Sequence, residues 1–479
     1  MDFEYEYKRC LQKLIWATEK LQVEVKPEKL SEIAELVVQP MIGPWRYFHT
    51  PNHIFEVGGC EDPIEVLAAL FHDVVYVQVD RSVNFNLSYY ITPYIKEVQG
   101  KLQIREQKEL PTDRSFQIVT SIFGFVPGQA LLPFSGQNEF MSAVVAVKAM
   151  EMFLMPKHLC QITTCIEASI PFQPNSEDGL TATDRLYEKL KETNIKLNLN
   201  LTDAELYQTM KKSVRLSNRD VSGFRSASSI FLDNTWNLLP ETNHNLTNGN
   251  SYTVCEYRIA LEKTEGFINF LNPNLIFRQF DGEPDEQTYQ GWVSQARKNI
   301  EVAKVYLGSK IFTLAFIEAL SMRLGLNIPL STMVGELPSQ GLIPAHLEEF
   351  LPPIQNPYQP KNNLEREILT LLADGRSQNA AYDMRNSPLS TFMVKYIGFD
   401  EIKNHRQKAK DFFQQNISAE EFINSCNQNL VKTVIDAILE LFDSRKQAIS
   451  GVKKEQKVNW SQDCNFISHK STSSHRELL

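Results

Sequence analysis

Apolar residues recur at intervals of three and four along most of the chain, which is the spacing that places them on one face of an α-helix. The pattern predicts helices at residues 5–22, 28–39, 139–153, 162–170, 181–194, 203–220, 254–271, 298–324, 364–372 and 417–441. Few segments show the strict alternation of a half-buried strand, and we find no internal repeat. The sequence therefore predicts an all-α fold.

Two shorter helices are predicted from their first residues, because each starts with a capping residue followed by proline. The pairs at 50–51 and 62–63 are Thr-Pro and Asp-Pro, which match the residue preferences of the N-cap and of the first helical position. His53 then lies in the first turn of the first helix, and His49 lies just before its cap. Histidines therefore stand at the start of this helix.

The second of these helices is expected to carry His72 and Asp73 well inside an apolar stretch, where only core residues are expected. An adjacent imidazole and carboxylate are costly to bury unless both find partners away from water. A divalent metal ion satisfies both groups, and the donor set suits Mn, Fe, Co, Ni or Zn, with Mg also compatible. The alternatives are a core histidine bonded to a carbonyl and a structural ion pair. The grouping of these two residues with His49 and His53 favours a site.

A further ligand is expected from a distant segment, since a shared ion ties separate helices together. Asp220 is the best candidate, because it lies near the edge of the apolar stripe of the helix predicted at 203–220. Gly223 is the expected stop of that helix. The alternative is a helix-end carboxylate that pairs with Arg219 or Arg225.

The order of these residues resembles a known pattern. His53, the pair His72-Asp73 and the distant Asp220 are similar to the H…HD…D pattern of the HD superfamily of metal-dependent phosphohydrolases. The stretch around His49 also resembles the YHN-x-x-H signature of cyclic-nucleotide phosphodiesterases. The resemblance implies that His49 is the proton donor and that the other four residues are metal ligands.

An uncharacterised branch of that superfamily, described as predicted metal-dependent phosphohydrolases, is closer still. Its R-x-Y/F-H-x-x-x-H start, FHD-x-x-Y core and N-E-x-x-S-A motif correspond to residues 46–53, 71–76 and 138–143. The resemblance is strongest over residues 40–225 and implies an HD-like helical core. Residues 77–137 are then an insertion relative to compact relatives, and could form a lid, a specificity element or a partner surface.

Three further residues within these motifs are candidates for the site. Arg46 is expected to bind a phosphate oxygen, and its alternative role is that of a surface cation. Glu139 could be a further ligand or orient a water on the ion, with Asn138 beside it. The alternative for Glu139 is a favourable first-turn acid behind an Asn138 cap. His49 could also support a ligand rather than donate a proton.

The resemblance implies that such a site hydrolyses phosphate esters with metal-activated water. We therefore expect a hydrolase that acts on a phosphomonoester or a phosphodiester. A nucleotide-like small molecule is the expected substrate, by analogy with the phosphodiesterase-like stretch. The alternative is a non-catalytic protein that keeps the helical scaffold and binds a ligand or a protein partner. Residues 77–137 or 361–442 would then supply the partner surface.

The distribution of prolines and of helical segments predicts the domain organisation. Residues 1–325 are expected to form the HD-like domain. A proline-rich connector is predicted at 326–360, a small helical module at 361–442 and a disordered tail at 443–479.

Composition limits the classes of function. A formal net charge of −9 argues against a general nucleic-acid-binding surface. The 7 cysteines are odd in number and scattered, which favours reduced thiols and a cytoplasmic location. The acidic start does not match a secretory signal, and no apolar run approaches the ~20 residues of a membrane span.

Overall fold

The chain is mostly helical, in a computed structural model that describes residues 2–337 and 344–450. In chain order the α-helices are α1 (Phe3–Lys20), α2 (Pro27–Met41), α3 (Pro51–Gly58), α4 (Pro63–His72), α5 (Val77–Asp80), α6 (Phe85–Ile91), α7 (Arg114–Phe123), α8 (Gln137–Met150), α9 (Pro156–Ala168), α10 (Ala182–Lys196), α11 (Asp203–Asp220), α12 (Ser228–Thr242), α13 (Val254–Phe270), α14 (Glu286–Ser321), α15 (Leu330–Val334), α16 (Asn363–Ala373), α17 (Pro388–Phe413), α18 (Ala419–Ser425) and α19 (Gln428–Ser450). Short 3-10 helices lie at Pro133–Ser135, Ser222–Arg225, His244–Thr247, Pro273–Leu275 and Leu347–Phe350. The prediction of an all-α fold is confirmed.

A small hairpin was not predicted by the apolar pattern, and neither were the helices α7, α12 and α17. The hairpin consists of β1 (Ile95–Val98) and β2 (Lys101–Ile104), which pair antiparallel. The turn between the strands has positive φ angles at Gln99 and Gly100, as the tight turns of hairpins require. Strands of four residues each are too short for an alternating pattern to stand out.

Two predicted helices differ in extent from those observed. α14 begins at Glu286, well before residue 298, because Asp285 caps it from the side chain and its first turns are polar. The helix expected over 417–441 is divided into α18 and α19. The division occurs because Cys426 is extended and the side chain of Asn427 accepts a hydrogen bond from the Leu430 amide.

Buried hydrophobic side chains form two clusters. The first extends from Cys10 to Leu216 and the second from Phe231 to Leu441. Almost every residue of α8 and α9 is buried in the first cluster, as the sequence predicts for an apolar run beginning at residue 139. α14 has the corresponding place in the second cluster, where it packs against both α13 and α17.

The segment predicted as an insertion, residues 77–137, is built into the first core. It contains α5, α6, the hairpin and α7. α7 packs against α8 and α9 and buries Phe116, Ile118, Val119 and Ile122. The segment therefore helps to form the core that holds the candidate site, while its roles as a lid or a partner surface stay predictions.

The helical module expected at 361–442 shares the second cluster with α12, α13 and α14. The expected boundary at residue 325 therefore falls inside one continuous core. The physical reason is α14, which buries residues such as Phe312 and Phe316 around most of its surface and has to be covered on every side. The buried clusters divide between residues 216 and 231 instead.

The proline-rich segment at 326–360 lies against the second core wherever the structure describes it. Met333 of α15 and Leu347 are both buried there, so the segment wraps the core. The tail expected at 443–479 overlaps α19, which continues to Ser450. Residues 451–479 lie outside the described residues.

The two cores are joined by polar contacts at the end of α11. Asn218 exchanges two hydrogen bonds with the backbone of Arg278, at 2.9 and 2.8 Å. Arg215 forms an ion pair with Glu283 at 2.7 Å. These contacts fix the C-terminal end of α11 between the cores.

None of the helices in the described ranges has an apolar stretch of the length needed to span a membrane.

Candidate metal centre

The two helix starts that were predicted from Thr-Pro and Asp-Pro pairs are both observed, and their helices position the site residues. α3 begins at Pro51 after Thr50, and α4 begins at Pro63, where the side chain of Asp62 accepts hydrogen bonds from two backbone amides. α4 is shorter than expected, since it ends at His72 and Asp73 is its C-cap. The pair therefore lies at a helix end rather than well inside a helix.

Four side chains from three helix ends converge on one point. The ligand atoms of His53, His72, Asp73 and Asp220 all lie within 4.8 Å of one another. His53 Nε2 is 3.1 Å from Asp220 Oδ1 and 3.4 Å from Asp73 Oδ2. An ion with bonds of about 2.1 Å holds its ligands roughly 3–4 Å apart, so these separations suit a shared cation. The structure thus brings together the four residues predicted as ligands.

His72 carries the clearest sign of a missing partner. Its Nδ1–H donates to the carbonyl oxygen of Ala69 at 2.8 Å, which leaves Nε2 as the ring nitrogen that faces the cluster. Nε2 is buried and has no hydrogen-bond partner among the described residues, although it lies 2.9 Å from Asp73 Oδ2 and 3.6 Å from Asp220 Oδ1. A carbonyl that fixes the tautomer of a ligating histidine in this way is a common support of metal sites.

The pKa values around the cluster show how strongly its charges depend on one another. Burial alone would lower the pKa of His53, but hydrogen bonds to Asp220 and Asp73 raise it to about 9. The pKa of His72 is likewise raised well above its ordinary value by the two carboxylates, against the effect of burial. Burial would raise the pKa values of Asp73 and Asp220, but the imidazoles hold both below their ordinary values. Without a cation, protons on the imidazoles balance the carboxylates.

Glu139 lies beside the cluster but outside the group of four. Its Oε2 atom is buried and has no hydrogen-bond partner among the described residues. Burial raises the pKa of Glu139 to about 7, and the charges of Asp73 and Asp220 add to the increase. A buried oxygen without a partner is unusual for a first-turn acid. It suits a carboxyl group that binds a metal ion or orients a water molecule. Both predicted roles remain compatible with this placement.

Asn138 supports the backbone next to the site. Its Oδ1 accepts a hydrogen bond from the Val77 amide at 3.2 Å, and its Nδ2 donates to Gln78 at 2.7 Å. Ser142, in the same motif, accepts a hydrogen bond from the Val75 amide at 3.1 Å. The motif at 138–143 therefore holds the chain just after Asp73.

Arg46 is not available as the phosphate-binding cation that was predicted. Its side chain is fully buried, and its Nε and Nη2 donate to the two oxygens of Asp80 at 3.0 and 2.6 Å. Its Nη1 donates to the carbonyl oxygen of Asp73 at 3.0 Å. The residue is not a surface cation either. It connects the loop before α3 with the end of α4 through the Asp73 carbonyl, and with the 77–137 segment through Asp80.

His49 is held by a residue that the sequence analysis missed. Its Nδ1 lies 2.6 Å from Oε2 of Glu241, at the end of α12 in the second core. The other oxygen of Glu241 accepts hydrogen bonds from the amides of Tyr47, Phe48 and His49, at 2.8, 2.8 and 2.9 Å. Burial would raise the pKa of Glu241, but His49 and these amides hold it below its ordinary value. The only local signal is that Glu241 directly follows Leu238, Leu239 and Pro240.

Tyr76 completes the surroundings of His49. The rings of Tyr76 and His49 meet edge to face, with centroids 4.5 Å apart. Burial raises the pKa of the Tyr76 phenol, and the charges of Asp73 and Glu241 raise it further. The phenol therefore stays neutral and keeps its proton at physiological pH.

Comparisons of this chain with family models, with curated proteins and with solved structures found no match.

The candidate centre is therefore described by its own geometry. Two imidazoles and two carboxylates are compatible with a divalent ion, and the donor set is shared by Mn, Fe, Co, Ni and Zn, with Mg less favoured by imidazole. Next to these donors stand a carboxyl group with an unpartnered oxygen, Glu139, and an imidazole held from behind by a carboxylate, His49. Such a set can bind a cation, polarise an anionic ester and move protons.

Proposed function

We propose that the chain is a metal-dependent phosphohydrolase that acts on a phosphomonoester or a phosphodiester, with a nucleotide-like small molecule as the expected substrate. The observation that carries the proposal is the convergence of four ligand atoms, one of which is the buried Nε2 of His72 that has no hydrogen-bond partner among the described residues. The resemblance of the ordered residues to HD-superfamily phosphohydrolases supports it. A bound divalent ion would polarise a phosphoryl oxygen and activate water for attack on phosphorus.

His49 is proposed to donate the proton that the leaving oxygen needs when its bond to phosphorus breaks. Histidine is the side chain that most often serves as a general acid or base in enzymes, which suits it to this step. Its Nδ1 is bonded to Glu241, so Nε2 is the nitrogen left for the substrate. The contact with Glu241 holds the ring in a fixed orientation for that transfer.

Glu139 is proposed to accept a proton from the attacking water. Its pKa of about 7 lets the carboxyl group take up and release a proton near neutral pH, and burial is the main cause of that value. Its unpartnered oxygen faces no competing donor among the described residues. Arg46 has no direct part in this scheme, because Asp80 and the Asp73 carbonyl occupy its guanidinium group.

The proposal is tested by metal analysis combined with a substrate screen. The purified protein is stripped with a chelator, reconstituted with Mn, Mg, Ni, Co or Zn in turn, and assayed against a panel of phosphorylated metabolites. Wild-type protein is expected to retain stoichiometric metal and to hydrolyse at least one ester. Asp220→Asn should lose the metal, because it removes one charged ligand without changing the shape of the side chain. His49→Ala should retain the metal and lose about 10²–10⁴-fold in rate.

His158→Ala is the matched control, because His158 is a buried imidazole of the same core with no contact to the four ligands among the described residues. It should leave metal content and hydrolysis unchanged. Stoichiometric metal without turnover of any ester would support the non-catalytic binding protein instead. Full metal content in Asp220→Asn would refute the ligand set.

A further inference from the structure

The loop that carries His49 is held by the second core at two points. Glu241 accepts all three amides of residues 47–49 with one oxygen and contacts Nδ1 of His49 with the other. A few residues further on, the ring of His244 stacks on Trp45, with centroids 4.3 Å apart and planes 15° from parallel. No other segment of the second core provides a carboxylate to this loop among the described residues.

The free-energy cost of burying the Glu241 carboxylate indicates that its negative charge has a role in the site. The side chain is 0% exposed, and removing a carboxylate from water is costly unless its partners compensate. Three amides alone could be satisfied by a neutral oxygen, such as that of glutamine, at lower cost. The second oxygen lies 2.6 Å from Nδ1 of His49, within the range of a charge-assisted hydrogen bond. A full negative charge is needed only for that contact.

We propose that Glu241 is a positioning residue of the candidate centre, and that the second core is therefore an indispensable part of the active site. This inference rests on the proposed function, in which His49 donates a proton. Glu241 keeps a proton on Nδ1, so Nε2 carries the proton that is transferred. As the bond between phosphorus and the leaving oxygen breaks, the Nε2 proton passes to that oxygen. His49 is left neutral with its Nδ1–H still donated to Glu241, which itself takes up no proton.

Glu241→Gln is the variant that separates charge from shape. The glutamine oxygen can still accept the three amides, but its NH₂ group would face Nδ1 and would force the proton of His49 onto Nε2. The imidazole then loses the acceptor for its Nδ1–H and with it the fixed orientation of Nε2. Glu265→Gln is the matched control, because Glu265 is a buried acid on α13 in the same core, away from the loop at 45–49.

The kinetic test uses 4-nitrophenyl, phenyl and alkyl phosphate esters, whose leaving groups need increasing help from a proton. Glu241→Gln should lose about 10²–10⁴-fold in kcat for alkyl esters and less than about tenfold for the 4-nitrophenyl ester, with metal content unchanged. In a His49→Ala background, the same substitution should cost nothing further, because its effect passes through His49. A uniform loss across the esters, or full additivity with His49→Ala, would overturn the inference.

A spectroscopic test needs no turnover and uses the metal-free wild-type protein. Nitrogen-15 spectra of the histidine rings, with His49 assigned from the His49→Ala spectrum, should show a proton on Nδ1 of His49. Amide hydrogen exchange of residues 47–49 should be slow in wild-type protein and in Glu265→Gln. An unprotonated Nδ1 in wild-type protein would overturn the inference even if Glu241→Gln fails to fold. If no ester is hydrolysed, the proposed function fails, while these two measurements still test the contact itself.

Discussion

At the scale of single residues, the candidate centre is a set of groups that balance one another's charge. Asp73 and Asp220 hold protons on two imidazoles in the absence of a cation, and the imidazoles hold the carboxylates ionised. A metal ion accepts only the neutral imidazole, so binding must release protons. The site is therefore a place where protons and metal ions compete.

We expect metal affinity to rise with pH. The pKa of His53 is about 9 in the metal-free protein, so at neutral pH its proton must leave before the ion binds. The apparent Kd should fall at least about tenfold per pH unit between about pH 6 and pH 8, with a steeper dependence if His72 also releases a proton. The same raised pKa stabilises the metal-free fold below the ordinary histidine pKa, and this contribution is lost as the pH rises through about 9. Isothermal titration calorimetry in buffers of different ionisation enthalpy measures the released protons, and a Kd independent of pH would contradict the expectation.

The four residues of the candidate metal cluster could be predicted from sequence. The partners of His49 and Arg46, which are Glu241 and Asp80, could not. Adjacent imidazole and carboxylate groups at the end of an apolar helix are conspicuous in any sequence, and Asp220 lies at the edge of an amphipathic stripe. Glu241 lies 192 residues from His49, and no local pattern relates the two. Arg46 was assigned to phosphate because its partner, Asp80, lies in a segment whose fold the sequence left open.

At the scale of elements, α7 shows that the 77–137 segment is part of the folded core. Asp113 caps the helix at one end, and Gly124 ends it in the left-handed conformation at the other. Its apolar stripe includes Phe116, Val119 and Ile122, and faces α8 and α9. From the sequence, the missing counterpart in compact relatives suggested an insertion that could form a lid, a specificity element or a partner surface. Packing against α8, the helix that carries Glu139, makes α7 part of the first core.

Ile122→Ala is therefore expected to destabilise the protein by about 2–5 kcal/mol, because the side chain is fully buried and its loss leaves a cavity. Urea unfolding, followed by circular dichroism on metal-free protein, measures the difference. Gln117→Ala, on the exposed side of the same helix, should change the free energy of unfolding by less than about 0.5 kcal/mol. Equal effects of the two substitutions would mean that the segment folds apart from the core.

At the scale of the whole molecule, the two cores meet around the candidate centre. The end of α11, which carries Asp220, is fixed to the second core through Asn218 and Arg215. Glu241 reaches back to the loop before α3 from the second core. The expected division at residue 325 is wrong for the buried clusters, because periodicity identifies helices but does not state which helices share a core.

Metal binding should consequently stabilise the native protein as a whole. At a free metal concentration of about 100 times Kd, the free energy of unfolding should increase by about 2.7 kcal/mol. Differential scanning calorimetry with and without the ion measures the shift, which a chelator should reverse. Asp220→Asn should show no shift under the same conditions. An equal shift in that variant would place the bound ion elsewhere.

The long separation between His49 and Glu241 also bears on synthesis. A ribosome adds roughly 5–20 residues per second, so the 192 residues between the two take about 10–40 s to translate. During that interval the nascent chain holds the loop without the carboxylate that orders it. Asp220, the last of the four candidate ligands, is made only 21 residues before Glu241, so the emerging polypeptide is expected to complete the candidate cation site and the loop of His49 almost together.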